Sequence, residues 1–369
     1  MMRPGDRLDA SLLGRPAQEL QTYLSATLVG QEEAITDIVN AYQLHATRMT
    51  AQGRPVANLL FLGPTGSGKT RAVEATAEGL LGSPRAILKV DCGEFQHSHE
   101  IAKLIGSPPG YLGHRETHPM LSQEALSQYH TQRVRLSFLL FDEIEKASDA
   151  LWNLLLGILD KATLTLGDGS RVDFTQTMIF LTSNLGVDSM TRILSPKLGF
   201  VRETAPDAGG ALNGKLTTAG LEAARRKFTP EFVNRLDKIV VFRALGDSEL
   251  RRVLDIELRI VQERVFRRAE IGPFVFSVSE AAKDVILAQG TDARYGARHL
   301  KRAIDRLLMQ PMANLIASGQ IRAGDWIRAD SDASSDVLAF YRDAESMTAY
   351  TMSEVARDGG AGAASAAAA

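Results

Sequence analysis

The sequence predicts an α/β fold: a parallel five-stranded sheet flanked by helices, followed by a smaller α+β unit that is largely helical. Three observations carry this expectation. Short apolar runs at 59–62, 86–90, 136–141, 177–182 and 238–242 are rich in Leu, Ile, Val and Phe and hardly alternate, as strands buried on both faces do. Amphipathic stretches separate the runs; Leu151, Leu154, Leu155 and Ile158 follow i, i+3, i+4, i+7 spacing. From residue 247 the pattern becomes helical, with Leu250, Val253, Leu254, Leu258 and Val261 on one face and short strand candidates at 274–278 and 324–328.

In chain order, residues 1–16 form an N-terminal segment, 17–243 a large nucleotide-binding domain, 244–345 a small lid domain and 346–369 a tail. Residues 17–50 read as helical: Leu20, Leu24 and Leu28 recur every four residues, Val29-Gly30-Gln31 breaks the pattern, and Ala34, Ile35 and Ile38 resume it. The stretch 201–216, with Thr204-Ala205-Pro206-Asp207-Ala208-Gly209-Gly210, reads as a flexible insertion or loop. The Gly/Ala/Ser tail from Gly359 is expected to be disordered.

Composition narrows the function classes. Apolar residues make up 44% and charged residues 23% of the 369, ordinary values for a soluble globular protein. A net charge of −2 gives no sign of a nucleic-acid-coating or membrane-surface protein. The single cysteine, Cys92, excludes an intramolecular disulfide and reads as a small buried residue. No apolar run approaches the roughly 18 residues of a membrane helix. An N-terminus without an apolar signal core points to the cytoplasm.

Gly63-Pro64-Thr65-Gly66-Ser67-Gly68-Lys69-Thr70 matches G-x-x-x-x-G-K-[ST] directly after an apolar strand. Glycines allow positive φ and close backbone approach to phosphate. Successive N–H groups at a helix N-terminus then form an anion nest. In this pattern Lys69 reaches the β- and γ-phosphates, and Thr70 places its hydroxyl on Mg²⁺. A glycine-rich turn with a solvated lysine would not explain why Lys69-Thr70 follows the last glycine.

Phe138-Leu139-Leu140-Phe141 delivers Asp142-Glu143 to the C-terminal end of a strand, the edge where open α/β sheets bind ligands. Asp142 is suited to hold Mg²⁺ and Glu143 to polarise a water, which implies hydrolysis rather than transfer to a substrate hydroxyl.

With these residues in place, the chain resembles the Clp-type AAA+ ATPases over residues 15–345, most closely the C-terminal ATPase module of the ClpA, ClpB and ClpC unfoldases. Asp142-Glu143-Ile144-Glu145-Lys146-Ala147 resembles their Walker B segment, and Val29-Gly30-Gln31 the helix entry beside the adenine. Leu104-Ile105-Gly106-Ser107-Pro108-Pro109-Gly110-Tyr111-Leu112-Gly113 resembles the pore loop. Leu181-Thr182-Ser183-Asn184-Leu185-Gly186 is similar to sensor 1. The segment 228–237, containing Arg235, resembles the arginine-finger stretch, and 295–302, containing Arg298, resembles sensor 2.

The resemblance implies that Asn184 orients the attacking water beside Glu143, that Arg235 acts in the neighbouring subunit's site, and that Arg298 touches the γ-phosphate. It further implies a hexameric ring whose Gly110, Tyr111, Leu112 and Gly113 face a channel and grip polypeptide. A second pore-facing loop is expected around Leu166-Gly167-Asp168-Gly169. Leu198-Gly199-Phe200 lies where peptidase-docking unfoldases carry their tripeptide, so a ClpP-like peptidase or an adaptor is a candidate partner. The sequence shows no counterpart of the N-terminal adaptor domain, first ATPase module or coiled-coil middle domain of the two-ring relatives, so a disaggregase of that kind is not expected. His97, His99, His114 and His118 lack zinc-ligand spacing and read as a polar rim.

An ATP-dependent unfoldase that threads polypeptide through a ring is the leading expectation. A remodeller of one complex without full threading, and an ATP-dependent assembly scaffold with little turnover, remain alternatives. Nucleic acid is not an expected partner, since no basic recognition helix is visible.

Overall fold

All five anticipated strands meet in one parallel sheet in the computed structural model, in the order β2-β3-β6-β1-β7. They span β1 Ala57–Leu62, β2 Leu88–Asp91, β3 Ser137–Asp142, β6 Thr177–Ser183 and β7 Lys238–Val241. The structure describes residues 9–107, 118–187, 208–268, 272–291, 297–331, 337–347 and 352. Gly110, Tyr111, Leu112 and Gly113, the tripeptide Leu198-Gly199-Phe200, His114 and the glycine–alanine tail lie outside these residues.

The chain divides into two units, Met1–Pro64 with Gly68–Arg243, and Ala244–Ala369 with Thr65–Ser67. In the first, every residue of β1 and β6 is buried, which explains their unbroken apolar composition. Register pairs Asp91 of β2 with Asp142 of β3, and Leu62 of β1 with Ser183 of β6. The strands therefore end together and bring their following loops to one edge. One sheet face packs on helices α1 Arg15–Thr27, α2 Glu32–Ala46 and α3 Lys69–Leu81, around Leu24, Ile38, Phe61, Phe180 and Phe242. On the other face lies α6 Asp149–Lys161, with Leu151, Leu155, Ile158, Phe141 and Phe174. Two short helices, α4 Ala102–Ile105 and α5 Gln123–Ser127, precede α6 in the chain.

Two features depart from the sequence expectation. The stretch read as a loop over 201–216 is helical from residue 208, within α7 Ala208–Lys227. Strong helix formers downstream propagate the helix back through Gly209 and Gly210, because extending a helix needs no new nucleus. A two-stranded hairpin, β4 Thr163–Thr165 with β5 Arg171–Asp173, also follows α6. Its three-residue arms are too short for alternation to stand out.

The second unit holds a three-stranded sheet of β8 Val275–Val278, β9 Trp326–Asp330 and β10 Ala339–Ala344 in the order β10-β9-β8. Strand β10 is mostly exposed, and its short mixed sequence carries no continuous apolar run. After the short helix α8 Pro230–Val233 of the first unit, the second unit's helices are α9 Asp247–Arg268, α10 Glu280–Gly290, α11 Arg298–Ile304 and α12 Gln310–Ala317. Leu254, Phe274, Ile286, Leu300, Ile304 and Leu308 form its core. A π turn at Asp305–Met309 joins α11 to α12, one residue before Pro311 enters the helix without an N–H to donate.

Candidate active site

Strand β1 runs into Gly63, whose φ of +148° and position beside β7 leave no room for a side chain. A Cβ there would lie 2.4 Å from the Phe242 carbonyl oxygen. Gly66 and Gly68 also have positive φ, 79° and 101°, and Gly68 caps α3 in the left-handed conformation. The loop thus wraps the N-terminus of α3, where free N–H groups favour an anion.

Lys69 is buried, and its Nζ donates to Gly63 O at 2.7 Å, Pro64 O at 2.9 Å and Asn184 Oδ1 at 3.0 Å. Burial pushes its ammonium down to about 8, against the pull of Glu145, Asp142 and Glu143. The loop's own carbonyls and Asn184 hold this cation where a phosphate oxygen would replace them.

Strand β3 ends in Asp142, and its neighbour β6 supplies Thr182 and, just beyond, Asn184. Thr182 Oγ1 donates to Asp142 Oδ1 and accepts from the Glu143 backbone N–H at 3.1 Å. Lys89 of β2 pairs with Asp142 Oδ2 at 2.7 Å. Burial raises the Asp142 carboxyl, but the bonds from Lys89 and Thr182 outweigh it and leave the group below the usual carboxylate range. An ionised aspartate and the Thr70 hydroxyl are the kind of hard-oxygen donors that Mg²⁺ takes together with phosphates and water.

Glu143 has φ +57°, rare for a non-glycine residue and costly enough to persist chiefly at functional positions. Its Oε1 accepts from Asn184 Nδ2 at 3.2 Å, and its Oε2 pairs with Lys146. Asn184 therefore joins the P-loop lysine to the strand-end glutamate. Such a carboxylate and carboxamide can hold one water in line with a phosphate bound at the loop.

On the other side of the loop, Gln31 acts as a false strand. Its amide donates to Arg243 O at 3.1 Å, and its Oε1 accepts from Arg243 N at 3.3 Å. Arg243 Nη2 returns to Gly30 O at 3.2 Å. Val29 is buried beneath, and Gly30 turns the chain with φ +71°. A cavity of about 150 Å³ lies here, lined by Gly30, Gln31, Thr217, Val240 and Val241 among others. Glu32, Glu33 and Arg243 line it too, so it joins apolar strand residues to polar groups, a mixture that could take a heteroaromatic base.

Arg235 faces its own chain. Its Nη1 pairs with Glu231 at 2.9 Å and its Nη2 lies 3.8 Å from Asp160, while its buried Nε has no hydrogen-bond partner. Asn58 donates to its carbonyl at 3.1 Å, and Trp152, Phe228 and Phe232 pack in tilted and edge-to-face contacts that fix the segment on α6. Arg298 opens α11 in the second unit and is exposed. The expected second loop forms the turn of the β4–β5 hairpin, where Gly167 N donates to Ile105 O at 2.7 Å. His97 and His99 stack at 5.7 Å, and among the described residues no cluster of three metal-binding side chains occurs.

The structure thus brings together Gly63, Lys69, Asp142, Glu143 and Asn184, which the sequence reading had selected. It adds Lys89, Thr182, Glu145, Lys146 and Arg243, which that reading had left without a role. Lysines and threonines inside strands carry no motif of their own; only the register of β2, β3 and β6 shows that they meet Asp142.

A parallel sheet whose C-terminal edge carries a P-loop, an Asp-Glu pair and a bridging asparagine defines a P-loop nucleoside triphosphatase. The comparisons specify which. Residues 54–239 match the AAA domain (Cdc48 subfamily), and residues 245–329 match the C-terminal, D2-small domain of ClpB protein. The chain belongs to the AAA+ ATPases, in their Clp group.

It is 35% identical over 316 residues to the chaperone protein ClpB of Bdellovibrio bacteriovorus, covering 86% of this chain and 34% of that one. It is 37% identical over 323 residues to the chloroplastic chaperone protein ClpC3 of Oryza sativa subsp. japonica, covering 88% and 33%. A ClpA homologue, the ATP-binding subunit of an ATP-dependent Clp protease in Porphyra purpurea, is 35% identical, with 83% and 36% covered. The chain thus spans about a third of the length of these curated relatives. Among solved structures, a closed-state reconstruction of Hsp104 with ATPγS and FITC casein aligns at a TM-score of 0.72 and 28% identity, covering 88% of this chain and 51% of that one. No helix among the described residues is long and apolar enough to cross a membrane.

Proposed function

We propose that the chain is the motor module of a protein unfoldase that forms a hexameric ring and draws polypeptide through its pore. The observation that carries this reading is the link from Lys69 through Asn184 to Glu143, which joins phosphate binding to water activation in one network. The relatives support the polypeptide side: those named chaperones share the fold, and the Hsp104 structure was determined with casein.

In this reading residues 17–243 are the large domain, 244–345 the lid, and 346–369 a tail. The adenine would enter the cavity lined by Gly30, Gln31, Val240 and Val241, next to Val29, and the phosphates would lie on residues 63–70. Thr70 and Asp142 would hold Mg²⁺, which would supply positive charge against the phosphates. Lys69 leaves the loop carbonyls for the γ-phosphate. Asn184 and Glu143 hold the attacking water, and Glu143 Oε accepts its proton. Arg235 leaves Glu231 and Asp160 to stabilise charge in the adjoining subunit's site, and Arg298 reports the γ-phosphate to the lid. Tyr111, flanked by Gly110 and Leu112-Gly113, grips substrate. Leu198-Gly199-Phe200 is the docking element for a ClpP-like peptidase.

The test pairs two variants with an ATPase assay and the unfolding of a fluorescent substrate protein. Glu143→Gln should retain ATP and trap substrate without hydrolysis. Tyr111→Ala should hydrolyse ATP yet leave the substrate folded. If Tyr111→Ala unfolds substrate as well as the parent does, threading by this residue is refuted and remodelling without threading takes its place.

A further inference from the structure

Strand β6 stops at Ser183, so the backbone N–H of Asn184 has left the sheet and needs an acceptor from elsewhere. Glu145 supplies it: Asn184 N donates to Glu145 Oε1 at 3.0 Å. The tight turn Ile144–Lys146 after β3 aims this carboxylate across to β6. Fully buried Ile144 pins the turn, and the Lys146 N–H closes it on Glu143 O at 3.0 Å. The other carboxylate oxygen, Oε2, is buried and has no hydrogen-bond partner. A buried oxygen left unpaired is unfavourable. A residue kept only to cap one N–H would not require it.

We infer that Glu145 is a positioning residue for hydrolysis, holding Asn184 by its backbone so that the carboxamide spans Lys69 and Glu143. This rests on the assignment of Asn184 and Glu143 to water positioning. Three bonds then fix Asn184: its N–H to Glu145, its Oδ1 to Lys69 and its Nδ2 to Glu143. The latter two depend on side chains that must move when ATP arrives. The Glu145 bond is independent of the substrate, and it keeps the asparagine in place while Lys69 and Glu143 exchange partners.

The test measures ATP turnover and the affinity of a fluorescent ATP analogue for Glu145→Ala, Glu145→Gln, Asn184→Ala and the double alanine variant, with thermal melts for each. Glu145→Ala should lower kcat about tenfold to hundredfold, as losing an orienting partner does elsewhere, with analogue affinity within about threefold of the parent. Glu145→Gln keeps an acceptor oxygen at the same reach and should recover most of the loss. The double variant should be no slower than Asn184→Ala alone, because one residue acts through the other. An unchanged kcat in Glu145→Ala, a multiplied loss in the double variant, or a Gln variant as slow as Ala overturns the inference. Glu143→Gln separates the two levels: if it hydrolyses ATP normally, the assignment of the water site itself fails; if it is inactive while Glu145→Ala is not, only the role of Glu145 fails.

Discussion

Asn184 donates its side-chain N–H to Glu143 Oε1 at 3.2 Å, and the same carboxamide accepts from Lys69 at 3.0 Å. One residue therefore touches both halves of the chemistry. Replacing Asn184 with alanine should slow turnover about a hundredfold, the low end of what positioned acid–base groups contribute. ATP should still bind, because Lys69 loses one of three partners but keeps its bonds to the loop carbonyls, and the loop itself is unchanged. Steady-state kinetics beside equilibrium nucleotide binding check this, and parallel loss of both would argue that Asn184 serves binding instead.

Gly63 follows β1 beside the end of its parallel neighbour β7, and a methyl group there would meet the Phe242 carbonyl oxygen at 2.4 Å. Its φ of +148° adds strain for any L-residue. Gly63→Ala should destabilise the large unit by about 1–3 kcal/mol, the usual range for overpacking. Denaturant unfolding followed with and without ATP measures it. A variant as stable as the parent, with ATP protection intact, would show that the loop entrance is looser than described.

Gly167 at the β4–β5 turn lies against the segment that leads to Tyr111. Its N–H donates to Ile105 O, and a Cβ on it would approach the Gly106 oxygen to 2.5 Å. Gly167→Ala should push these two stretches apart. Substrate unfolding should fall severalfold while ATP turnover without substrate stays near the parent's. Equal loss of both activities would place the damage in the nucleotide site.

Cys92 follows β2, is fully buried, and has its thiol pushed up by burial and then by nearby carboxylates. The thiolate is the reactive form. Labelling by a thiol reagent at neutral pH should therefore be slow in the folded protein and fast in denaturant. Rapid labelling of the native protein would contradict the packing described around β2 and β3.

Much of this site is legible in the sequence, for a physical reason. Phosphate binding needs glycines at positive φ and a lysine at a helix start, and those demands are local in the chain. Asp142 and Glu143 are legible too, because an apolar strand announces the edge to which it delivers them. Lys89, Thr182 and Glu145 are not, since each acquires its role from a neighbouring strand. Lys89 reads as a lone charge in an apolar run until register places β2 beside β3. The fold follows the same division. Buried strands such as β1 and β6 stand out as apolar runs, whereas exposed β10 and the three-residue arms of β4 and β5 carry no periodicity to detect.

The central claim is that each ATP site draws residues from two copies of this chain. Arg235 is tied to Glu231 and Asp160 of its own chain, and in the proposed ring it would exchange those partners for a neighbour's nucleotide. Glu143→Gln and Arg235→Ala should each be inactive alone. Mixed in equal amounts before assembly, they should regain a substantial part of the parent's ATP turnover. Some sites would then join an intact Glu143 from one copy with an intact Arg235 from the next. A mixture no more active than the two variants measured separately would contradict the account.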